Sequence, residues 1–346
     1  MRRFRFLLAG ALLAAFVFSG VASAAAAVDI PGVPASFTDW MPVSLNSADA
    51  SATHSVFSVS LHKQDWLDVS SENGHLGFNL FAPSATSVLT DTPIAEAIYV
   101  ELAYGPTVSY ETSISGTYFI DSFAPAGAGA VADGVGVYVT PYTSLKLNSA
   151  AAQLVGYNQK AGISLTLLNG DGQPSDLDVP VRVYRSVNGA AWSWFTTITS
   201  VNPVKSYVAP TTIRTSYKML IADDLNAWTQ PSTSAVKTVT PTAYLTNAVA
   251  PAAMARTKYY SVYGYLKPQH KAGTYPVRIY RYRYERGAWK SYSYVNAKAA
   301  NYSNYTKYAA SMRLPYAGRW RVRACAPADT GHRATWASAY DYVTVK

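Results

Sequence analysis

The sequence predicts an all-β protein built of tandem β-sandwiches, and three observations carry that expectation. Charged residues make up only 14% of the 346-residue chain, while the strand formers Tyr, Val and Thr abound, a balance that favours many short strands over amphipathic helices. Apolar residues alternate with polar ones in one short segment after another. Six residues also occur twice almost unchanged, as Pro180-Val181-Arg182-Val183-Tyr184-Arg185 and Pro276-Val277-Arg278-Ile279-Tyr280-Arg281. Each copy leads to a Gly-Ala turn and a tryptophan, Trp192 or Trp289. Their 96-residue separation equals one small sandwich domain and is too long for a solenoid repeat.

The chain opens with Arg2, Arg3 and Arg5, an apolar stretch from Phe6 to Phe18, and the small residues Ala22-Ser23-Ala24. This predicts a secretory signal peptide over residues 1–24, with cleavage up to position 27. Thirteen apolar residues are too few to span a bilayer, and no later segment reads as a membrane helix, so no transmembrane anchor is expected. The single cysteine, Cys325, excludes an intramolecular disulfide. Stability must then come from apolar cores, which domains of roughly 100 residues can supply.

Residues 28–141 read as the first domain. After a turn-rich leader, Ile30-Pro31-Gly32-Val33-Pro34, strands are expected where Phe57, Val59 and Leu61 share a face, and again at Leu76, Phe78 and Leu80. Gly116 to Asp121 and Val135 to Val139 complete the set, separated by turns at Asn73-Gly74, Gly105-Pro106 and Gly127-Ala128-Gly129. The segments Ser55 to Leu61, Trp66-Leu67-Asp68-Val69-Ser70, Gly77-Phe78-Asn79-Leu80-Phe81-Ala82-Pro83 and Gly116-Thr117-Tyr118-Phe119-Ile120-Asp121 resemble a bacterial pre-peptidase C-terminal domain. The resemblance covers roughly 90 residues and implies a jelly-roll-like accessory sandwich, often attached to secreted hydrolases. Asn79 departs from it, standing where an aspartate is usual.

Two repeats follow, 142–240 and 241–346. The first carries Ile163-Ser164-Leu165-Thr166-Leu167, the Pro180 strand, the Trp192 strand, and the late strands Thr212 to Lys218 and Ser234 to Thr240. The second carries Tyr263-Gly264-Tyr265-Leu266-Lys267-Pro268, Asn301 to Tyr308, Gly318-Arg319-Trp320-Arg321-Val322-Arg323-Ala324 and Tyr342-Val343-Thr344-Val345-Lys346. Both are similar to the Ig-like repeats of secreted actinobacterial proteins. The resemblance speaks for architecture and a bacterial cell surface or extracellular setting, and not for a ligand.

Charge separates along the chain. Residues 25–150 hold twelve acidic and two basic side chains, a net −10, whereas residues 251–346 hold 17 basic and three acidic ones, a net +14. That last stretch also holds 16 of the 27 tyrosines. Charge polarity of this kind concerns partners rather than fold. Along 319–325, burial of Trp320, Val322 and Ala324 would leave Arg319, Arg321 and Arg323 in a line facing water. Arg278, Tyr280, Tyr282 and Tyr284 are expected to form a neighbouring row, with Lys290, Tyr292 and Tyr294 on the next strand. Such a surface suits carboxylate, phosphate and sugar ligands.

No nucleophile elbow, H-E-x-x-H or C-x-x-C occurs, and no glycine-rich phosphate loop precedes a helix, so no catalytic residue is expected. The histidines are scattered and read as structural or surface residues, and Asp329, Gly331 and His332 as formers of a turn. Asp171, Asp176 and Asp178 are close enough in sequence to hold calcium, but acidic hairpin loops are common, and no cofactor or metal is expected. The functional expectation is a secreted, non-enzymatic binding protein attached through its basic repeat to an anionic cell-wall polymer or polysaccharide. Self-association of acidic with basic ends and service to a secreted hydrolase are the rivals. No groove-reading helix or nucleic-acid fold is present to imply a specific nucleic-acid partner.

Overall fold

The computed structural model describes residues 41–46, 53–97, 107–199, 204–221 and 229–346. The expected signal segment over 1–24, the expected leader at 30–34 and the expected turn at Gly105-Pro106 lie outside the described residues. The described residues form strands and no helices, as the composition predicts, and no helix among them is long and apolar enough to cross a membrane. The chain divides into two compact units, the first ending at Tyr142 and the second running Thr143–Lys346.

The first unit contains β1 (Met41–Asn46), β2 (His54–Leu61), β3 (Trp66–Ser71), β4 (Gly77–Phe81), β5 (Ala95–Ala97), β6 (Thr107–Glu111), β7 (Gly116–Phe123) and β8 (Ala130–Thr140). They pair into two four-stranded sheets, β1-β8-β3-β6 and β2-β7-β4-β5. Alternation places Phe57, Val59 and Leu61 of β2 against Leu67 and Val69 of β3. Phe78, Leu80, Tyr118, Ile120, Val135 and Val137 close one shared core. Two buried carboxylates hold the polar parts of this sandwich. Asp121 lies 3.0 Å from His54 Nδ1 and accepts at 3.4 Å from Asn79 Nδ2, and its hydrogen bond raises the His54 pKa. An aspartate at position 79 would set a second carboxylate against Asp121, whereas the asparagine amide donates to it.

Asp133 anchors the turn through Gly74, whose φ of 77° favours glycine. Its oxygens accept from the Ser71 hydroxyl and from the backbone N–H groups of Asn73, His75 and Gly134. Burial opposes ionisation, but the hydrogen bonds from Ser71, His75, Asn73 and Gly134 outweigh it and hold the carboxyl below its ordinary range. The Asp133→Ala variant is expected to lose about 3 kcal/mol of unfolding free energy, read by urea denaturation. Because the folded-state pKa is depressed, the stabilisation is fully present above the unfolded value of about 3.9 and fades as pH falls through the folded value. The variant should lack that part of the acid-side slope.

The second unit repeats one topology. Its first sandwich comprises β9 (Ser144–Leu147), β10 (Ala152–Val155), β11 (Gln159–Leu168), β12 (Val181–Val187), β13 (Ser193–Ile198), β14 (Val204–Thr211), β15 (Thr215–Ile221), β16 (Ser232–Thr233) and β17 (Lys237–Pro241). The second comprises β18 (Tyr244–Leu245), β19 (Ala253–Met254), β20 (Tyr260–Lys267), β21 (Val277–Glu285), β22 (Ala288–Tyr302), β23 (Tyr305–Met312), β24 (Gly318–Ala326), β25 (Thr335–Trp336) and β26 (Asp341–Val345). The order β10-β17-β15-β12-β13 in the first corresponds to β19-β26-β24-β21-β22 in the second. In both, the short second strand, β10 or β19, pairs in parallel with the last strand of its sandwich. The duplicated hexapeptide supplies the strand next to the sheet's centre each time, β12 or β21, which explains its alternation of buried Val or Ile with Arg and Tyr.

The sandwiches keep separate cores, one around Ile163, Leu165, Val181, Val183 and Met219, the other around Val262, Val277, Ile279, Tyr308, Trp320 and Val322. The 15-residue β22 leaves one sheet of the second sandwich and joins the other, pairing first with β21 and then with β23. Tyr308 fills the middle, its hydroxyl donating to Thr246 O at 2.9 Å and lying across Gly264. A Cβ at position 264 would fall 2.2 Å from that hydroxyl, so only glycine fits.

Candidate binding face

The outer face of β22-β21-β24-β26 gathers the basic and aromatic residues. Trp320, Val322 and Ala324 of β24 are fully buried, so period-2 alternation turns Arg319, Arg321 and Arg323 outward. Register sets Tyr280 opposite Arg323 and Tyr282 opposite Arg321 on one side, with Tyr342 opposite Arg321 on the other. Tyr294 of β22 stands opposite Tyr280 of β21.

The guanidinium groups rest on rings. Arg321 Cζ lies 3.7 Å from the Tyr340 ring centroid, 4.8 Å from Trp289 and 5.3 Å from Tyr282. Arg319 sits 5.0 Å from Tyr284, Arg278 5.0 Å from Tyr294, and Arg323 5.1 Å from Tyr340 and 5.5 Å from Trp336. The rings also touch one another, with Tyr280 4.8 Å from Trp336 and Tyr284 5.2 Å from Trp289. Burial, reinforced by Tyr340, raises the Tyr282 phenol pKa against the pull of Arg323 and Arg321. Among the described residues, no carboxylate lies within 4.0 Å of the guanidinium groups of Arg278, Arg319, Arg321 or Arg323. Stacking therefore holds these cations in place without neutralising them, and leaves edge N–H groups to reach a ligand.

Two expected members of the face lie elsewhere. Arg281 pairs with Ser293 and Tyr282 with Ser291, so Tyr292 is an extra, bulged residue of β22. The bulge inverts the alternation beyond it. Trp289 consequently joins the arginine face, opposite Tyr284, while Lys290 pairs with Arg283 and Tyr292 packs 5.1 Å from the Trp320 ring. Lys290 and Tyr292 thus leave the predicted row. On their side Arg281, Arg313, Tyr259 and Tyr292 line a cleft of about 330 Å³ with Val295, Ser311 and Pro315. Arg281 donates to Arg313 O at 3.0 Å and to the Ser293 hydroxyl, and burial lowers its pKa.

Sequence reading did not select Trp289, Trp336, Tyr340, Arg281 or Arg313. Their signals were the aromatic density of 335–342 and the full Arg-Tyr alternation of β21. The three candidate calcium ligands stay apart. Among the described residues, Asp171, Asp176 and Asp178 do not converge on a common point, and Asp178 instead lies 3.8 Å from the buried Lys205 ammonium. The loop is held by Asn169, whose side-chain oxygen accepts from the backbone of Asp171 and Gln173.

No family model and no curated protein matches this chain. Among solved structures it is similar to three N-terminal domains of the highly immunogenic outer capsid protein of bacteriophage RB49, at 9% identity and a TM-score of 0.31, over 85% of this chain and 98% of that one. A mutant of a periplasmic inhibitor of g-type lysozyme from Escherichia coli aligns at 14% identity and a TM-score of 0.23, over 32% of this chain and 97% of that one.

Proposed function

We propose that the protein is an exported, non-enzymatic binding protein of a bacterial surface, attached through the β22-β21-β24-β26 face to an anionic wall polymer or polysaccharide. The observation that carries this reading is the row of ring-stacked guanidinium groups without carboxylate partners among the described residues. Guanidinium forks match phosphate and carboxylate oxygens, and exposed rings such as Tyr284, Tyr294 and Trp336 offer faces to sugars. Exposed charges are screened beyond about 10 Å in 0.1 M salt, so binding should weaken steadily as salt rises. The test is retention of the full chain on purified anionic wall polymer across a salt series. Absent retention, or retention indifferent to salt, rejects the proposal.

A second reading rests on the net −10 of residues 25–150 against the net +14 of residues 251–346. Acidic and basic ends of successive molecules would meet in a heterologous contact that propagates. Light scattering over the same salt series separates the two, because a strict monomer at low salt excludes assembly.

A further inference from the structure

A histidine remote in sequence meets two side chains of one loop at the end of the second sandwich. His270 follows β20, whereas Asp329 and His332 lie in the loop between β24 and β25. His270 Nε2 is 3.2 Å from Asp329 Oδ2, and His332 Nδ1 is 3.0 Å from Asp329 Oδ1. The far nitrogen of each ring is also committed. His270 Nδ1 lies 2.9 Å from Pro268 O, and His332 Nε2 lies 2.9 Å from Thr212 O.

Donor accounting makes this arrangement informative. A backbone carbonyl and an ionised carboxylate only accept, and a neutral imidazole has one N–H. Both nitrogens of both rings face acceptors, so each neutral ring has one lone pair directed at an acceptor, either Asp329 or the backbone carbonyl. A second proton on one ring would leave the mismatch on the other, and a second proton on both would place two cations with centroids 5.6 Å apart around one carboxylate. That carboxylate already accepts from the backbone N–H groups of Gly331 and His332. A divalent cation among the three groups satisfies every atom at once. Each ring then stays neutral, binds through one nitrogen and donates the other N–H to a carbonyl, the outer-shell arrangement usual for metal-binding histidine.

We propose that His270, Asp329 and His332 form a binding site for a zinc-class divalent cation. Two ligand atoms about 2.0–2.1 Å from a tetrahedral ion stand about 3.3 Å apart, close to the 3.2 and 3.0 Å of the two histidine–carboxylate pairs. All three ligand atoms lie within 4.8 Å of one another, and no other such trio occurs among the described residues. Two imidazoles and one carboxylate favour zinc over calcium, which takes six to eight oxygens. Three protein ligands leave a coordination position for water.

The location gives the ion a structural task. The Asp329–His332 loop is held against the first sandwich. Arg214 N donates to Gly331 O at 2.7 Å, Asn188 Nδ2 reaches Thr330 Oγ1 at 3.3 Å, and His332 reaches Thr212. A bound ion ties the end of β20 to this loop and so fixes the seam between the two repeats.

The test uses the full chain stripped by a chelator and titrated with zinc chloride, with calcium chloride as the comparison. One saturable equivalent of zinc is expected, with a rise in the thermal midpoint that calcium does not reproduce. The His270→Gln and Asp329→Asn variants alter a partly exposed and an exposed ligand and should remain folded. Each should bind zinc at least about 10–100-fold more weakly and lose the midpoint shift. No saturable zinc binding by the folded chain, or equal affinity in both variants, overturns the site. So would nitrogen NMR showing both rings doubly protonated at neutral pH and unchanged by zinc.

Discussion

Replacing Trp320 with alanine is expected to lower the unfolding free energy of the second unit by about 3–5 kcal/mol, the largest single-residue stability effect this fold predicts. The indole is fully buried between β21 and β26, where register sets Trp320 beside Arg283 and Val343. Its N–H donates to Tyr316 O at 2.8 Å, Tyr292 meets it edge-on at 5.1 Å, and the Arg283 guanidinium lies 5.9 Å from the ring. Truncation removes the largest side chain of this core and leaves the Tyr316 carbonyl without its donor. Trp320→Phe keeps most of the apolar volume and loses the N–H, so it should cost about 1–3 kcal/mol. Urea denaturation of the full chain, followed through the transition of the second unit, measures both. A loss below about 1 kcal/mol for the alanine variant would mean that the sandwich core closes elsewhere.

The residues that made β24 readable are the same ones that make it fragile. Trp320, Val322 and Ala324 alternate with three arginines, and such a period-2 pattern has only one face that can be buried. The duplicated hexapeptide was legible for a similar reason, because each copy becomes an inner strand with Val or Ile on its buried face. The bulge at Tyr292 was not legible. It follows a Gly-containing turn, where Arg286 and Gly287 have positive φ, but nothing local distinguishes an extra residue from a continued strand. The first repeat carries an equivalent shift between Val183 and Tyr184, so the irregularity belongs to the duplicated plan rather than to one sequence. Chain-distant groupings were hidden for another reason. His270 and Asp329 are 59 positions apart, and Tyr340 comes from a loop, so only strand order brings them to their partners. Proximity in sequence made Asp171, Asp176 and Asp178 candidate calcium ligands, but it could not show that the spatial neighbour of Asp178 is Lys205.

Changing Arg319, Arg321 and Arg323 together to glutamine should weaken binding to anionic polymer by roughly 100-fold at low salt. Each surface cation facing an anionic layer contributes about 1 kcal/mol, and about 1.4 kcal/mol corresponds to tenfold in affinity. Affinity should also depend less steeply on salt. Glutamine keeps a polar side chain above buried Trp320, Val322 and Ala324, so folding should persist and is checked by the thermal midpoint. Lysine at the same three positions distinguishes charge from geometry. Lysine retains the cation but lacks the planar fork that stacks on Tyr340 and Trp289, so a lysine triple variant should recover only part of the lost affinity. Lys290→Gln supplies the internal comparison, because the bulge at Tyr292 places Lys290 opposite Arg283 on the other side of the sheet. Its affinity should stay within about twofold of the parent, since one rim charge away from the ligand is largely screened. Parent-like binding by the glutamine triple variant, or a loss in Lys290→Gln as large as in that triple, would move the ligand off this face.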